Sequence, residues 1–264
     1  MSIEVLVSTM HRTDHSLLAG MNLQTDAVVI NQCDRYDYEE FDYGGHRVRW
    51  FCVKERGVGL SRNTALARAE ADIVLFADDD VRFEDGLAEK IEAAFREDKK
   101  AGMIVFNILS GNPERPEYRI RKRHRLHWYN CLKYGACRIA VRRSRFDNKN
   151  IWYSHLFGGG TKHQAGEDNL FITKAVRSGI RCLADPRIIG TAEQKESSWF
   201  KGYTEKYFSD RGALFAAMYG KAAYPVTVLF EMRRPEPPAR KFRHLRTEMR
   251  GIRGYLTFSG EYDA

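Results

Sequence analysis

The stretch Ala71-Asp72-Ile73-Val74-Leu75-Phe76-Ala77-Asp78-Asp79-Asp80 decides how the rest of the chain reads. Its apolar run has the length of a buried strand, and it ends abruptly in three adjacent carboxylates. Three ionised carboxylates in a partly desolvated place repel one another unless water, protons or a cation relieve them, and oxygen-only ligands suit Mg²⁺ or Mn²⁺. The pattern points to a hard-metal site facing a phosphorylated substrate. Its plain alternative is an acidic turn after a core strand, and the neighbouring segments have to choose.

On both sides of this strand, strand-like and helix-like segments alternate. Strands are expected at Ile3–Ser8, Ala27–Asn31, Val48–Val53, Gly102–Ile108 and Cys137–Arg142, with a short one at Arg181–Leu183 that stops before Pro186. Helices are expected around Leu17–Leu23 and over Arg62–Ala69, the latter capped by Ser61 after a glycine turn. Behind a cap at Asp85, Leu87, Ile91, Ala94 and Phe95 recur at helical spacing, and a further helix runs from Gly166-Glu167-Asp168 to near Gly179. Such alternation argues for an α/β fold with a mainly parallel central sheet flanked by helices. Ligands of such sheets bind beyond the carboxyl ends of the strands, where Asp78–Asp80 would lie.

With 264 residues, 43% hydrophobic and 12% aromatic, the chain can bury a large core. No apolar stretch reads as long enough to cross a bilayer, and the first residues enter a strand pattern without the marks of a secretory leader, so the expected location is the cytoplasm. Cys33, Cys52, Cys131, Cys137 and Cys182 form no CxxC pair and read as reduced, mostly buried thiols. The net charge of +8 favours anionic partners. It is concentrated: Tyr118 to Phe146 holds ten Lys/Arg and no acid, and Arg233 to Arg253 holds eight against Glu236 and Glu248. Both segments read mainly as solvated surface attracted to phosphate groups, including those of an acidic inner membrane face or a lipid-diphosphate acceptor. A nucleic-acid-binding module is disfavoured, since there is no zinc pattern or aromatic RNA-binding motif and the acidic triplet would repel a phosphate backbone. Pro235, Pro237 and Pro238 mark a division into a catalytic domain, 1–222, and a basic C-terminal extension, 223–264.

Taken in order, Val7-Ser8-Thr9-Met10, Gly59-Leu60-Ser61-Arg62-Asn63, Phe76-Ala77-Asp78-Asp79-Asp80 and Gly166-Glu167-Asp168 resemble the family-2 glycosyltransferases with the GT-A fold, over residues 3–220. The resemblance implies a metal-dependent inverting glycosyltransferase. It would move a sugar from a nucleotide diphosphate donor, first of all a UDP-sugar, to a hydroxyl of a glycan or lipid-linked acceptor in bacterial surface polysaccharide synthesis. A sugar nucleotidyltransferase is the alternative enzyme, distinguished by diphosphate release.

The same resemblance distributes roles. Asp78 and Asp80 match the outer positions of the DxD motif, the first near the ribose and the last on a Mn²⁺ or Mg²⁺ ion, with Asp79 able to take either duty. Ser8 and Thr9 match the strand end that approaches the base. Asn31-Gln32 stands where carboxylates are common, and its amides can bond a base edge but lack the charge that favours uridine. Arg62 would contact base or phosphate, or else be a solvated helix-start residue, and Asn63 would brace its turn. Asp168 matches the general base that takes the acceptor's proton, with Glu167 orienting it; ordinary first-turn acids facing a helix dipole are the alternative. Glu193, or water, would replace a metal-ligating His found in relatives. His163 reads as incidental, and Trp199, Tyr203 and Tyr207 as core or lid packing more than an apolar acceptor platform.

Overall fold

The computed structural model describes residues 1–114, 116–147, 149–193 and 202–260. Among these, ten strands form one sheet: β1 (Ile3–Met10), β2 (Asp26–Gln32), β3 (Asp37–Tyr43), β4 (His46–Val53), β5 (Ile73–Asp78), β6 (Val81–Phe83), β7 (Ala101–Ser110), β8 (His124–Arg125), β9 (Ile139–Arg142) and β10 (Arg181–Ala192). The order is β3-β4-β2-β1-β5-β9-β7-β10-β6, with β8 on β10. Strands β4, β2, β1 and β5 run parallel, and so do β7 and β10; β9 is inserted antiparallel between β5 and β7. The helices are α1 (Leu17–Gly20), α2 (Val58–Arg68), α3 (Leu87–Glu97), α4 (Arg143–Phe146), α5 (Glu167–Arg177), α6 (Glu205–Tyr219), α7 (Ala223–Met232) and α8 (Pro238–Gly260).

Both faces of the sheet are buried, which explains why the central strands read as nearly continuous apolar runs. Successive side chains alternate between two cores. Leu6, Val74 and Phe76 join Leu66 of α2, Phe171 of α5 and Leu214 of α6, whereas Val5, Val7 and Leu75 join Leu18 of α1 and Ile91 and Phe95 of α3. Each large side chain so removed from water contributes roughly 1.5–3 kcal/mol. The pairing Ser8 with Asp78 and Thr9 with Asn31 brings the carboxyl ends of β1, β2 and β5 level.

Several local expectations are corrected. Helix α2 starts at Val58 behind Gly57 (φ 112°), so Ser61 is no cap: it lies buried inside the helix and its hydroxyl donates to Ser8 Oγ at 2.9 Å. Gly86, in the left-handed conformation, precedes α3, and Asp85 instead accepts from Asn22 Nδ2 at 2.9 Å. Strand β10 continues past Pro186 to Ala192, because register shifts between Ala184 and Ile188 accommodate a residue that has no N–H to give. Strand β3, unforeseen in the sequence, hairpins onto β4 through Gly44 and Gly45, both at positive φ.

Beyond residue 222 the chain forms α7 and α8, which pack against α6. The helix crossing is close: a Cβ on Gly212 would collide with the Glu248 carbonyl and one on Gly251 with that of Ser209. Arg211 of α6 bonds both Glu231 of α7 and Glu248 of α8, and burial pushes the Glu248 carboxyl up to about 7. Contrary to the sequence expectation, Glu205–Met232 is long and apolar enough to cross a bilayer by length and composition. Here it is broken between α6 and α7, and α6 buries Phe208, Phe215 and Met218 within the protein.

Candidate functional site

A cleft of about 970 Å³ opens at the carboxyl ends of β1, β2 and β5, a volume in the range of small-molecule sites. Ser8 and Thr9 from β1, Gln32 from β2, Arg62 from α2, Asp78 from the end of β5 and Asp79 from the turn after it form one wall, and Lys133, Tyr134 and the 164–169 segment with Glu167 and Asp168 form the other. The two acidic groups found in the sequence therefore share one cleft. Glu167 and Asp168 open α5, and the loop before them passes Gly158 (φ 108°), where a Cβ would come 2.9 Å from the Glu167 carboxyl carbon. Only glycine fits there without displacing Glu167.

Arg62 ties the walls together. Its Nη2 donates to Asp78 Oδ1 at 2.9 Å, and its Nη1 donates to Asp168 Oδ1 at 2.9 Å and Glu167 Oε1 at 3.0 Å. The side chain is 4% exposed and its guanidinium stacks 5.3 Å from the Tyr153 ring centre. Arg62 is thus not a solvated helix-start residue; it lines the cleft as the buried hub of the site. One guanidinium faces three carboxylates, leaving a surplus of negative charge. Burial, and after it the Glu167 charge, pushes the Asp168 carboxyl up to about 8, against the pull of Arg62. The Cys137 thiol is likewise pushed well up, by burial and then by the charges of Asp78, Asp168 and Asp80.

Asp79 is held by Thr9 Oγ1 (2.5 Å) and Arg12 Nη2 (2.7 Å). Arg12 went unnoticed in the sequence; its only signal was a cation just beyond the β1 end. Asn31 is not among the residues that line the cleft. It is fully buried, accepts from the Arg12 N–H at 3.0 Å and donates to the Arg12 carbonyl at 2.9 Å, so it braces the turn after β1. Its neighbour Gln32 lines the cleft instead. Asn63 braces the 153–155 segment, bonding both the N–H and the carbonyl of Tyr153. Among the described residues no three His, Cys, Asp or Glu side chains converge as a metal cage. Asp78, Asp80 and Glu193 are therefore not a preassembled set, although the Glu193 N–H donates to the Asp80 carbonyl at 3.0 Å.

His163 bonds Asp210 at 2.9 Å and stacks on Phe157, a structural role outside the cleft. Tyr203 is exposed and packs edge-on to Tyr207, not in a core; Trp199 lies outside the described residues. The basic 118–146 segment is only partly solvated: Arg138 is fully buried, donating to the carbonyls of Phe106 and Tyr118, while Lys133 reaches the cleft.

Residues 11–166 match the model of glycosyl transferase family 2. The chain belongs to this family. It is a glycosyltransferase, and the match contains the Asp triplet and stops one residue short of Glu167. Among curated proteins there is no match. Among solved structures, S. aureus TarS 1–349 in complex with UDP-GlcNAc superposes with a TM-score of 0.60 at 16% identity, over 98% of this chain and 75% of that one. The TarS 1–349 complex with UDP gives 0.57 at 16% identity over 93% and 70%, and S. aureus TarS gives 0.57 at 15% over 93% and 42%. These likenesses show the GT-A fold, a mixed α/β architecture with a large central sheet flanked by helices.

Proposed function

We propose that this glycosyltransferase is a metal-dependent inverting enzyme that transfers a sugar from a UDP-sugar to a hydroxyl of a glycan or lipid-linked acceptor in bacterial surface polysaccharide synthesis. The observation that carries the reading is the Arg62 hub, which joins the Asp78 wall to the Glu167–Asp168 wall across one cleft. The shared fold with a TarS structure holding UDP-GlcNAc supports a UDP-sugar as donor.

Asp168 is the base. Its side chain is more open to the cleft than that of Glu167, 19% exposed against 11%, and a proton affinity near the working pH suits a group that takes a proton during attack. As the acceptor oxygen bonds the anomeric carbon, its proton passes to the Asp168 carboxylate, and the bond to the diphosphate breaks on the opposite face. Glu167, behind Gly158, holds Arg62 and so fixes the angle of Asp168. Asp79, Thr9 and Ser8 shape the nucleotide end, with Gln32 in place of Asn31 toward the base.

The surplus negative charge around Arg62 and the oxygen-only donors of Asp78, Asp80 and Glu193 fit a hard divalent ion that completes its shell with phosphate and water oxygens. Such an ion would supply charge stabilisation for the departing diphosphate. The free thiols, four of the five buried, fit a reducing compartment and support placing the enzyme in the cytoplasm.

Thermal stabilisation by a panel of nucleoside diphosphates, with and without Mn²⁺, tests the reading when followed by product analysis. We expect UDP with Mn²⁺ to stabilise most and a UDP-sugar to yield free UDP. No stabilisation by any nucleoside diphosphate, or nucleotide transfer with diphosphate release, would overturn it.

A further inference from the structure

Helix α7 is built inside out. Its buried residues are Ala223, Thr227 and Glu231, with Glu231 turned inward to Arg211, whereas Leu229 (55% exposed) and Met232 (68%) face outward. Pro225, Leu229 and Met232 follow the i, i+4, i+7 spacing of one helical stripe, opposite the buried one. Lys241 Nζ donates to the Met232 carbonyl at 3.0 Å, bringing the start of α8 up to the end of α7 and with it Phe242, itself 69% exposed. An apolar stripe in water with the polar residues inside reverses the usual economy of a surface helix and marks a surface that something else covers.

Charge says what covers it. The acids of this region are turned in: Glu231 and Glu248 are buried on Arg211, and Glu236 is bonded to Arg234. The cations are turned out: Arg233, Arg240 and Arg243, close in sequence to Met232 and Phe242, are exposed. A second copy of the chain would bring like charges together, and a nucleic acid would leave the apolar side chains wet. An anionic bilayer meets both needs, since acyl chains accept the apolar groups and headgroups attract the cations.

We infer that the exposed Leu229, Met232 and Phe242, together with the exposed Arg233, Arg240 and Arg243, form a face by which the protein docks peripherally on an anionic lipid surface. The docking holds whether or not the acceptor proposed above is lipid-linked.

Co-sedimentation of the full chain with protein-free vesicles tests this, using phosphatidylcholine alone and phosphatidylcholine mixed with phosphatidylglycerol. Wild type is expected to bind the mixed vesicles, more weakly in high salt, and to leave the neutral ones in solution. The triple variant Leu229→Ser, Met232→Ser, Phe242→Ser is expected to bind at least about tenfold more weakly, from the apolar area it no longer buries. The triple variant Arg233→Glu, Arg240→Glu, Arg243→Glu should lose the preference for anionic lipid. All six positions are exposed, so both variants should keep the wild-type melting temperature. Wild type failing to bind anionic vesicles, either variant binding like wild type, or equal binding to neutral vesicles would overturn the inference. So would a wild-type dimer in sedimentation that the serine variant dissociates, because the face would then belong to a second copy.

Discussion

Replacing Arg62 by Gln leaves a shorter, neutral polar side chain and removes both the positive charge and the carboxylate bonds that Nη1 and Nη2 make at 2.9–3.0 Å. Breaking a buried ion pair by removing one partner costs about 3–5 kcal/mol. Asp78, at 41% exposure, regains water and softens the loss, while Glu167 and Asp168 stay largely enclosed, so about 3 kcal/mol is expected at pH 8 or above. For a chain of this size that corresponds to a fall of roughly 6–12 °C in melting temperature. The deficit should shrink as the pH falls, because a protonated Asp168 no longer needs the guanidinium. A second readout separates this from a general packing defect. Arg62 opposes the upward shift of Asp168, so Arg62→Gln must move the limb of kcat/KM against pH to the alkaline side, by about one unit or more. Denaturant melts and initial rates across pH measure both. A variant as stable as wild type at pH 8, with its pH limb unmoved, would refute the hub.

With Asp168 pushed up to about 8, kcat/KM should rise tenfold per unit as pH increases toward that value and level off above it; a flat profile between pH 6 and 8 would contradict the base assignment. Between its ordinary 3.8 and about 8 the folded state binds the extra proton, so this group makes stability fall as pH rises, and Asp168→Asn should flatten that slope in melts taken across the interval. Gly158→Ala forces a Cβ to within 2.9 Å of the Glu167 carboxyl carbon at φ 108° and should cost about 1–3 kcal/mol with a lower transfer rate; denaturant melts and kinetics matching wild type would show that Glu167 is not fixed by this contact. Asp79→Asn removes the charge that Arg12 holds and should weaken UDP binding, read by calorimetry; unchanged affinity would take Asp79 out of the nucleotide site.

The legible parts of the fold were those with strong local periodicity. Strand β5 and its acids follow from an apolar run that stops dead at Asp78, and the buried face of α3 is the one that Leu87, Ile91, Ala94 and Phe95 trace. Strand β3 was missed because its side chains point largely to solvent at a sheet edge and read as loop, although Gly44-Gly45 between two β-like runs is itself a hairpin signal. The end of β10 was missed because Pro186 suggests a stop unless a bulge is foreseen. In the site, residue types and order pointed to Asp78, Glu167 and Asp168, yet the hub depends on residues up to 106 positions apart meeting at one guanidinium, which no local pattern encodes. The bonds of Asn31 to the Arg12 backbone were hidden for the same reason: a polar residue at a strand end looks the same in sequence whether it faces a ligand or its own turn.

UDP affinity and UDP-sugar turnover measured together on wild type and Asp168→Asn test the two-walled site most directly. The account predicts affinities within about threefold of each other and at least a hundredfold loss of transfer in the variant, in line with the contribution of a positioned base. Equal turnover by the two proteins would contradict it.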